Sequence, residues 1–166
     1  MRASRAVVLA GLLLAPLPAT AQVSVTFVDP ERYTDAESRF GSGLTLRVTL
    51  AEIRRLFTEL GDRVLRPGES LAITVLDIDL AGYQRPGLAG PDGLRIVSDV
   101  GPPRFRLRYV LKERGRTVLS ADETVSDINF LSRYARSLGG SAFTYERELI
   151  RDWLQTRIAG RQQPRG

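Results

Sequence analysis

Apolar positions along this chain recur at spacings that separate strands from helices. Val23, Val25 and Phe27 alternate with Ser24, Thr26 and Val28, the pattern of a short strand with one buried face, and Asp29-Pro30 ends it. The segment through Gly41 and Gly43 reads as a loop, with a helical turn near Asp35 to Arg39. Thr49-Leu50-Ala51-Glu52 has the form of a capping box, with Val48 and Ile53 placed for the accompanying staple. Ile53, Leu56, Phe57, Leu60 and Val64 follow at helical spacing, while Glu52, Arg54, Arg55, Glu59 and Asp62 cover the opposite side, and Gly61 is a candidate early stop. Pro67-Gly68 predicts a turn. From Ser70 to Leu80, strict alternation puts Ile73, Val75, Asp77 and Asp79 on one face of a strand and Thr74, Leu76, Ile78 and Leu80 on the other.

Ala81 to Gly93 holds four glycines and two prolines and is expected to be a mobile loop, with Leu94 to Val100 as an edge strand before Gly101-Pro102-Pro103. Arg104 to Lys112 is the clearest strand: Arg104, Arg106 and Arg108 point one way, Phe105, Leu107 and Tyr109 the other. Arg114-Gly115 is a hairpin turn into a partner strand, Arg116 to Val125. Asp127-Ile128-Asn129 reads as a cap or turn, and Leu131, Tyr134 and Leu138 as a short helix ending at Gly139-Gly140. A last helix from about Thr144 to Ala159 buries Leu149, Ile150, Trp153, Leu154 and Ile158, and Gly160 stops it. This order predicts a two-layer α+β domain: a mixed, mostly antiparallel sheet of four to five strands, with two main amphipathic helices on one face and the arginines on the other. The first and second strands should run parallel.

Composition adds a compartment. Arg2 and Arg5, an apolar stretch from Ala6 to Leu17 and the small residues Ala19-Thr20-Ala21 form a secretory signal peptide over residues 1–21, with cleavage expected after Ala21. The apolar run is too short to span a bilayer, and no later segment is long and apolar enough to do so. Residues 22–160 are then expected to form one soluble domain, with 161–166 as a disordered tail. Cysteine is absent, so there are no disulfides, and the leader points to a bacterial periplasm. Losing Arg2 and Arg5 leaves 22 basic against 19 acidic side chains, a mild +3. Lys112 is the only lysine, a bias that runs over the whole chain and is read as genome composition.

Histidine is absent as well, which excludes a Ser-His-Asp triad, a cysteine nucleophile and zinc sites of the usual nitrogen and sulfur type. Carboxylates are what remains. Asp77 and Asp79, two apart on a strand, could hold Mg²⁺ or Ca²⁺ or act as an acid and base pair, or they could sit in an ion lattice with Arg104, Arg106 and Arg108. The lattice is favoured, because the arginines alternate in the same way. Phe105 and Tyr109 face away from the arginines, so the stripe lacks the interleaved aromatics of a nucleic-acid binder. Tyr83 opens the glycine-rich loop as either an anchor or an exposed contact. The leading expectation is a non-catalytic domain without cofactor or metal. It would bind an envelope protein or an anionic envelope component through Asp77, Asp79, Arg104, Arg106, Arg108 and Tyr83. The alternative is a metal-assisted hydrolase of an envelope polymer using Asp77 and Asp79. A carrier of a small apolar ligand between helices and sheet is a third reading.

Four phrases point to a family. They are Val25-Thr26-Phe27-Val28-Asp29-Pro30-Glu31 with Tyr33-Thr34-Asp35; Val75-Leu76-Asp77-Ile78-Asp79-Leu80-Ala81-Gly82; Pro103-Arg104-Phe105-Arg106; and Tyr145-Glu146-Arg147-Glu148-Leu149-Ile150-Arg151-Asp152-Trp153. Together they resemble the bacterial domain of unknown function 3016 family over essentially the whole mature chain. The resemblance implies a small exported single-domain protein and assigns no residue a catalytic role.

Overall fold

A computed structural model describes residues 21–35, 46–84, 95–134 and 143–160. Residues 1–20, expected to be a leader, most of the glycine-rich loop and the expected tail from 161 lie outside the described residues. Strands β1 (Gln22–Phe27), β2 (Glu69–Asp79), β5 (Arg104–Glu113) and β6 (Arg116–Ser126) form one sheet in the order β1-β2-β5-β6. The β1–β2 pair is parallel and the other two pairs are antiparallel. Helices α1 (Leu46–Asp62) and α3 (Thr144–Trp153) pack on one face, the latter continuing as a π-helix over Leu154–Ala159. The short α2 (Phe130–Tyr134) lies between β6 and α3 in sequence. The fold is α+β with four strands in its sheet, as the alternation predicts.

The core is a single layer of side chains between the sheet and the two long helices. Phe57 of α1 meets Phe105 of β5 edge to face at 5.8 Å and Trp153 of α3 at 6.0 Å, and Trp153 meets Tyr109 at 5.1 Å. Each such pair adds about 0.5–1.5 kcal/mol beyond its buried area. These rings pack with Leu71, Ile73 and Leu107, all fully buried, in the layer between helices and sheet. Arg114 and Gly115 both have positive φ (48° and 80°), as the two-residue hairpin turn between β5 and β6 requires.

Three local expectations are corrected. The first helix begins at Leu46, so Thr49 is a buried interior residue and not a cap; Leu46 and Leu50 pack against the core and extend the apolar stripe upstream. Glu52 pairs with Arg55 instead of reaching back to the helix start. Gly61 does not stop the helix; a Cβ there would lie 2.7 Å from a Val23 methyl, so glycine lets α1 approach β1 closely. The stretch 94–100 contributes only β4 (Arg95–Ile96), which pairs with β3 (Tyr83–Gln84) in a separate ribbon and does not join the sheet. The last helix ends as expected at Ala159 with Gly160 as its cap; its final turn is π, and Gly160, at φ −68°, donates to the Gln155 carbonyl.

The fourth difference positions the site. Strict alternation in β2 would put Asp77 and Asp79 on the same side as Ile73 and Val75, which are buried. A bulge intervenes: Val75 pairs with Leu107 but Asp77 with Arg106, leaving Leu76 as the extra residue. The phase then reverses, so Ile78 and Leu80 are buried and both aspartates turn to the open face. Tyr33 holds the bulge from 42 residues away. Its buried hydroxyl donates to the Val75 carbonyl at 2.7 Å and accepts from the Val28 N–H at 3.1 Å, while the Val28 N–H also reaches the Val75 carbonyl. Burial, the largest cause, pushes the Tyr33 hydroxyl pKa up to about 12 and keeps it a donor.

Candidate functional site

No described helix covers the sheet face opposite α1 and α3, and β5 sets its chemistry. Arg104, Arg106 and Arg108 emerge from alternate positions, and the neighbouring strands supply carboxylates in register. Arg104 pairs with Asp79 at 2.7 Å. Arg106 and Arg108 both turn to Asp122 of β6, at 3.7 and 3.1 Å, and their side chains remain 60% and 59% exposed. The strip is therefore an ion lattice with one carboxylate serving two guanidiniums at its centre. Exposed pairs of this kind contribute about 0–1 kcal/mol each, so the fold does not depend on them.

Asp77 stays out of the arginine network. Both of its oxygens accept from Thr34, one from the backbone N–H at 2.7 Å and one from the hydroxyl at 2.8 Å. Next to it, Asp35 accepts from the Leu80 N–H at 2.6 Å and donates its own N–H to the Ile78 carbonyl. Asp79 sits beside both. Burial, then the Asp35 charge, holds its carboxyl above the usual range; Arg104 opposes this and Asp77 adds to it. Asp77 and Asp79 thus face different partners, Thr34 and Arg104, and do not converge on a shared point. Among the described residues no group of three or more acidic, histidine or cysteine side chains could hold a metal ion.

Of the residues singled out in the sequence, Asp79, Arg104, Arg106 and Arg108 come together on the open face, with Asp77 at its margin. Tyr83 is 46% exposed and belongs to the β3–β4 ribbon, not to the sheet. Sequence reasoning missed Asp122, which only the β5–β6 register reveals, and Glu123. Glu123 carried a visible signal, a charge at the apolar positions Leu119, Ala121 and Val125 of its strand. It accepts from the Trp153 indole N–H at 2.8 Å and the Tyr109 hydroxyl at 3.0 Å, and pairs with Arg157 at 3.1 Å. Burial, then the bond to this carboxylate, raises the Tyr109 pKa to about 12.

The four phrases quoted above converge on one end of β2. Tyr33, Thr34 and Asp35 bond to β2, Asp79 bonds to Arg104, and buried Glu146 of α3 accepts the Ala81 N–H at 2.7 Å. The chain matches the family described as "Protein of unknown function (DUF3016)" over residues 21–156. It belongs to that family. Neither the curated proteins nor the solved structures gave a match. In this DUF3016 chain the four phrases are joined by hydrogen bonds that tie the β2 bulge, the Arg104 end of β5 and the start of α3 together.

Proposed function

We propose that this DUF3016 chain is an exported, non-catalytic binding domain. It is cut after Ala21, works in the periplasm and engages an anionic component of the envelope through its open sheet face. The leader pattern supports export. The carrying observation is the arrangement of Arg106 and Arg108, two well-exposed guanidiniums on a rigid strand sharing the single carboxylate of Asp122. Guanidinium forks bind oxyanions bidentately, and a flat row of them needs no cavity. Carboxylates suited to acid–base or metal work are occupied by structural partners: Asp77 by Thr34, Asp79 by Arg104.

Titration with dextran sulfate, a defined polyanion, tests this. Wild type should bind with an affinity that falls as salt rises, and Arg106→Ser with Arg108→Ser should weaken binding about tenfold or more. Equal binding by wild type and double variant, or none by wild type at low salt, rejects the reading. Mass measurement of the exported protein checks the location separately: a first residue of Gln22 is expected, and an intact Met1 contradicts it.

A further inference from the structure

Arginine in this protein is usually paired. Arg55 holds Glu52 and Glu59, Arg133 holds Asp127 and Asp152, Arg157 holds Glu123, and the three arginines of β5 share Asp79 and Asp122. Arg66, Lys112, Arg114 and Arg116 differ: all four are exposed, and among the described residues none reaches a carboxylate. Arg32 and Arg47 are also unpaired, but they stand past the far end of β1 and at the start of α1. The four occupy two turns that are fastened together. The Arg114 N–H donates to the Gly68 carbonyl at 2.8 Å, and the buried Glu69 carboxylate accepts the Arg66 N–H at 3.0 Å. Asp62 and Glu113, the exposed carboxylates beside these turns, are outnumbered. The chain also enters the fold at this end. One row of the sheet register runs Gln22, Ser70, Lys112, Thr117, so β1 begins roughly 10 Å from Lys112 at about 4.8 Å per strand. Upstream of it in sequence lies the apolar run Ala6 to Leu17, expected to engage a membrane during export.

We propose that this end of the sheet docks on an anionic phospholipid bilayer, with Arg66, Lys112, Arg114 and Arg116 against the lipid phosphates. Two observations choose a bilayer. The unpaired cations stand on neighbouring turn tips, an arrangement that meets a flat charged surface, and each cation brought to such a surface favours binding about fivefold. The segment with the apolar run joins the fold beside them, so the end that is already cationic is the end that faces a membrane as the chain is exported. Val118, bulged out of the β5–β6 register and 46% exposed, adds an apolar side chain on the same hairpin. The choice of a bilayer rests on the export reading above. The surface itself is separate from the open face, because none of the four cations belongs to the strip of Arg104, Arg106 and Arg108.

The probe is a vesicle of equal parts phosphatidylglycerol and phosphatidylcholine, sedimented with the purified exported protein and compared with vesicles of phosphatidylcholine alone. Binding to the anionic vesicles only, falling as salt rises, is expected. Arg114→Asn with Arg116→Thr should weaken it about tenfold or more; asparagine tolerates the positive φ of position 114. Arg54→Gln with Arg55→Gln removes the same charge from α1 and should change binding by less than about twofold. The chain has no cysteine, so Val118→Cys offers a single site for a polarity-sensitive dye and serves if the hairpin variant fails to fold. Its emission should move to the blue on anionic vesicles, while the same dye on Ala51→Cys, at an exposed position of α1, should not respond. No binding, equal losses in the two charge-matched pairs, a loss produced only by Arg106→Ser with Arg108→Ser, or a silent dye at position 118 overturns the proposal. An intact Met1 overturns the export reading and leaves this comparison readable, since every variant shares one amino terminus.

Discussion

The two faces of one strand show how this protein divides its labour. On the covered side of β5, Phe105, Leu107, Tyr109 and Leu111 are at most 2% exposed and touch the helix layer. One residue along, on the open side, the Arg104, Arg106 and Arg108 side chains are each more than half exposed and meet only carboxylates. Both faces share the same backbone hydrogen bonds, so rigidity is supplied from one side and displayed on the other. Stability should therefore respond to changes on the covered face, and recognition to changes on the open one.

The largest effect is expected from Phe57→Ala, which removes the ring joining Phe105 to Trp153. Denaturant unfolding should show a loss of about 3–5 kcal/mol, with the open face chemically untouched. Glu123→Gln comes next, because it weakens the acceptor for Trp153 and Tyr109 and breaks the pair with Arg157. A loss of about 1–3 kcal/mol is expected, and ultraviolet titration should show the Tyr109 hydroxyl ionising below its present value of about 12. The sign also gives an alkaline limit. Tyr33 and Tyr109 have raised folded pKa values, so their contribution is intact below the ordinary tyrosine range and is lost as pH rises towards about 12.

Smaller effects sharpen the contrast from the other side. Asp79→Asn should raise the melting temperature at pH 7 by about 1–2 °C despite breaking a salt bridge. Its folded pKa is raised, mainly by burial, so the folded state disfavours the charged form and gains stability as pH falls through that pKa. The advantage of asparagine should shrink below the ordinary carboxylate range; a lower melting temperature at pH 7 would show the bridge to Arg104 to be the stronger influence. Millimolar Mg²⁺, Ca²⁺ or Mn²⁺ should leave the melting curve unchanged, and a shift abolished by Asp77→Asn would revive the hydrolase alternative. Smallest of all, Arg106→Ser with Arg108→Ser should alter stability by no more than about 0.5 kcal/mol.

What could be read from the chain depended on how local the cause was. The β5 pattern was legible because its alternation is uninterrupted and both faces obey it. The faces of β2 were not, because the reversal at Leu76 is held by Tyr33, and nothing within the strand announces that contact. The start of α1 was misplaced for a similar reason: a good local cap motif at Thr49 lost to the core packing of Leu46 and Leu50. Arg104, Arg106 and Arg108 were found as a strip, yet the shared carboxylate Asp122 needed the β5–β6 register. Glu123 was available from parity alone.

The most direct test of the account is to follow the arginine Nε–Hε resonances by NMR while dextran sulfate is added. The account predicts that the signals of Arg104, Arg106 and Arg108 shift together and saturably, while those of Arg54 and Arg55 on α1 and of Arg63 just after it stay in place. Shifts centred on the helix arginines, or spread evenly over both sets, would contradict it.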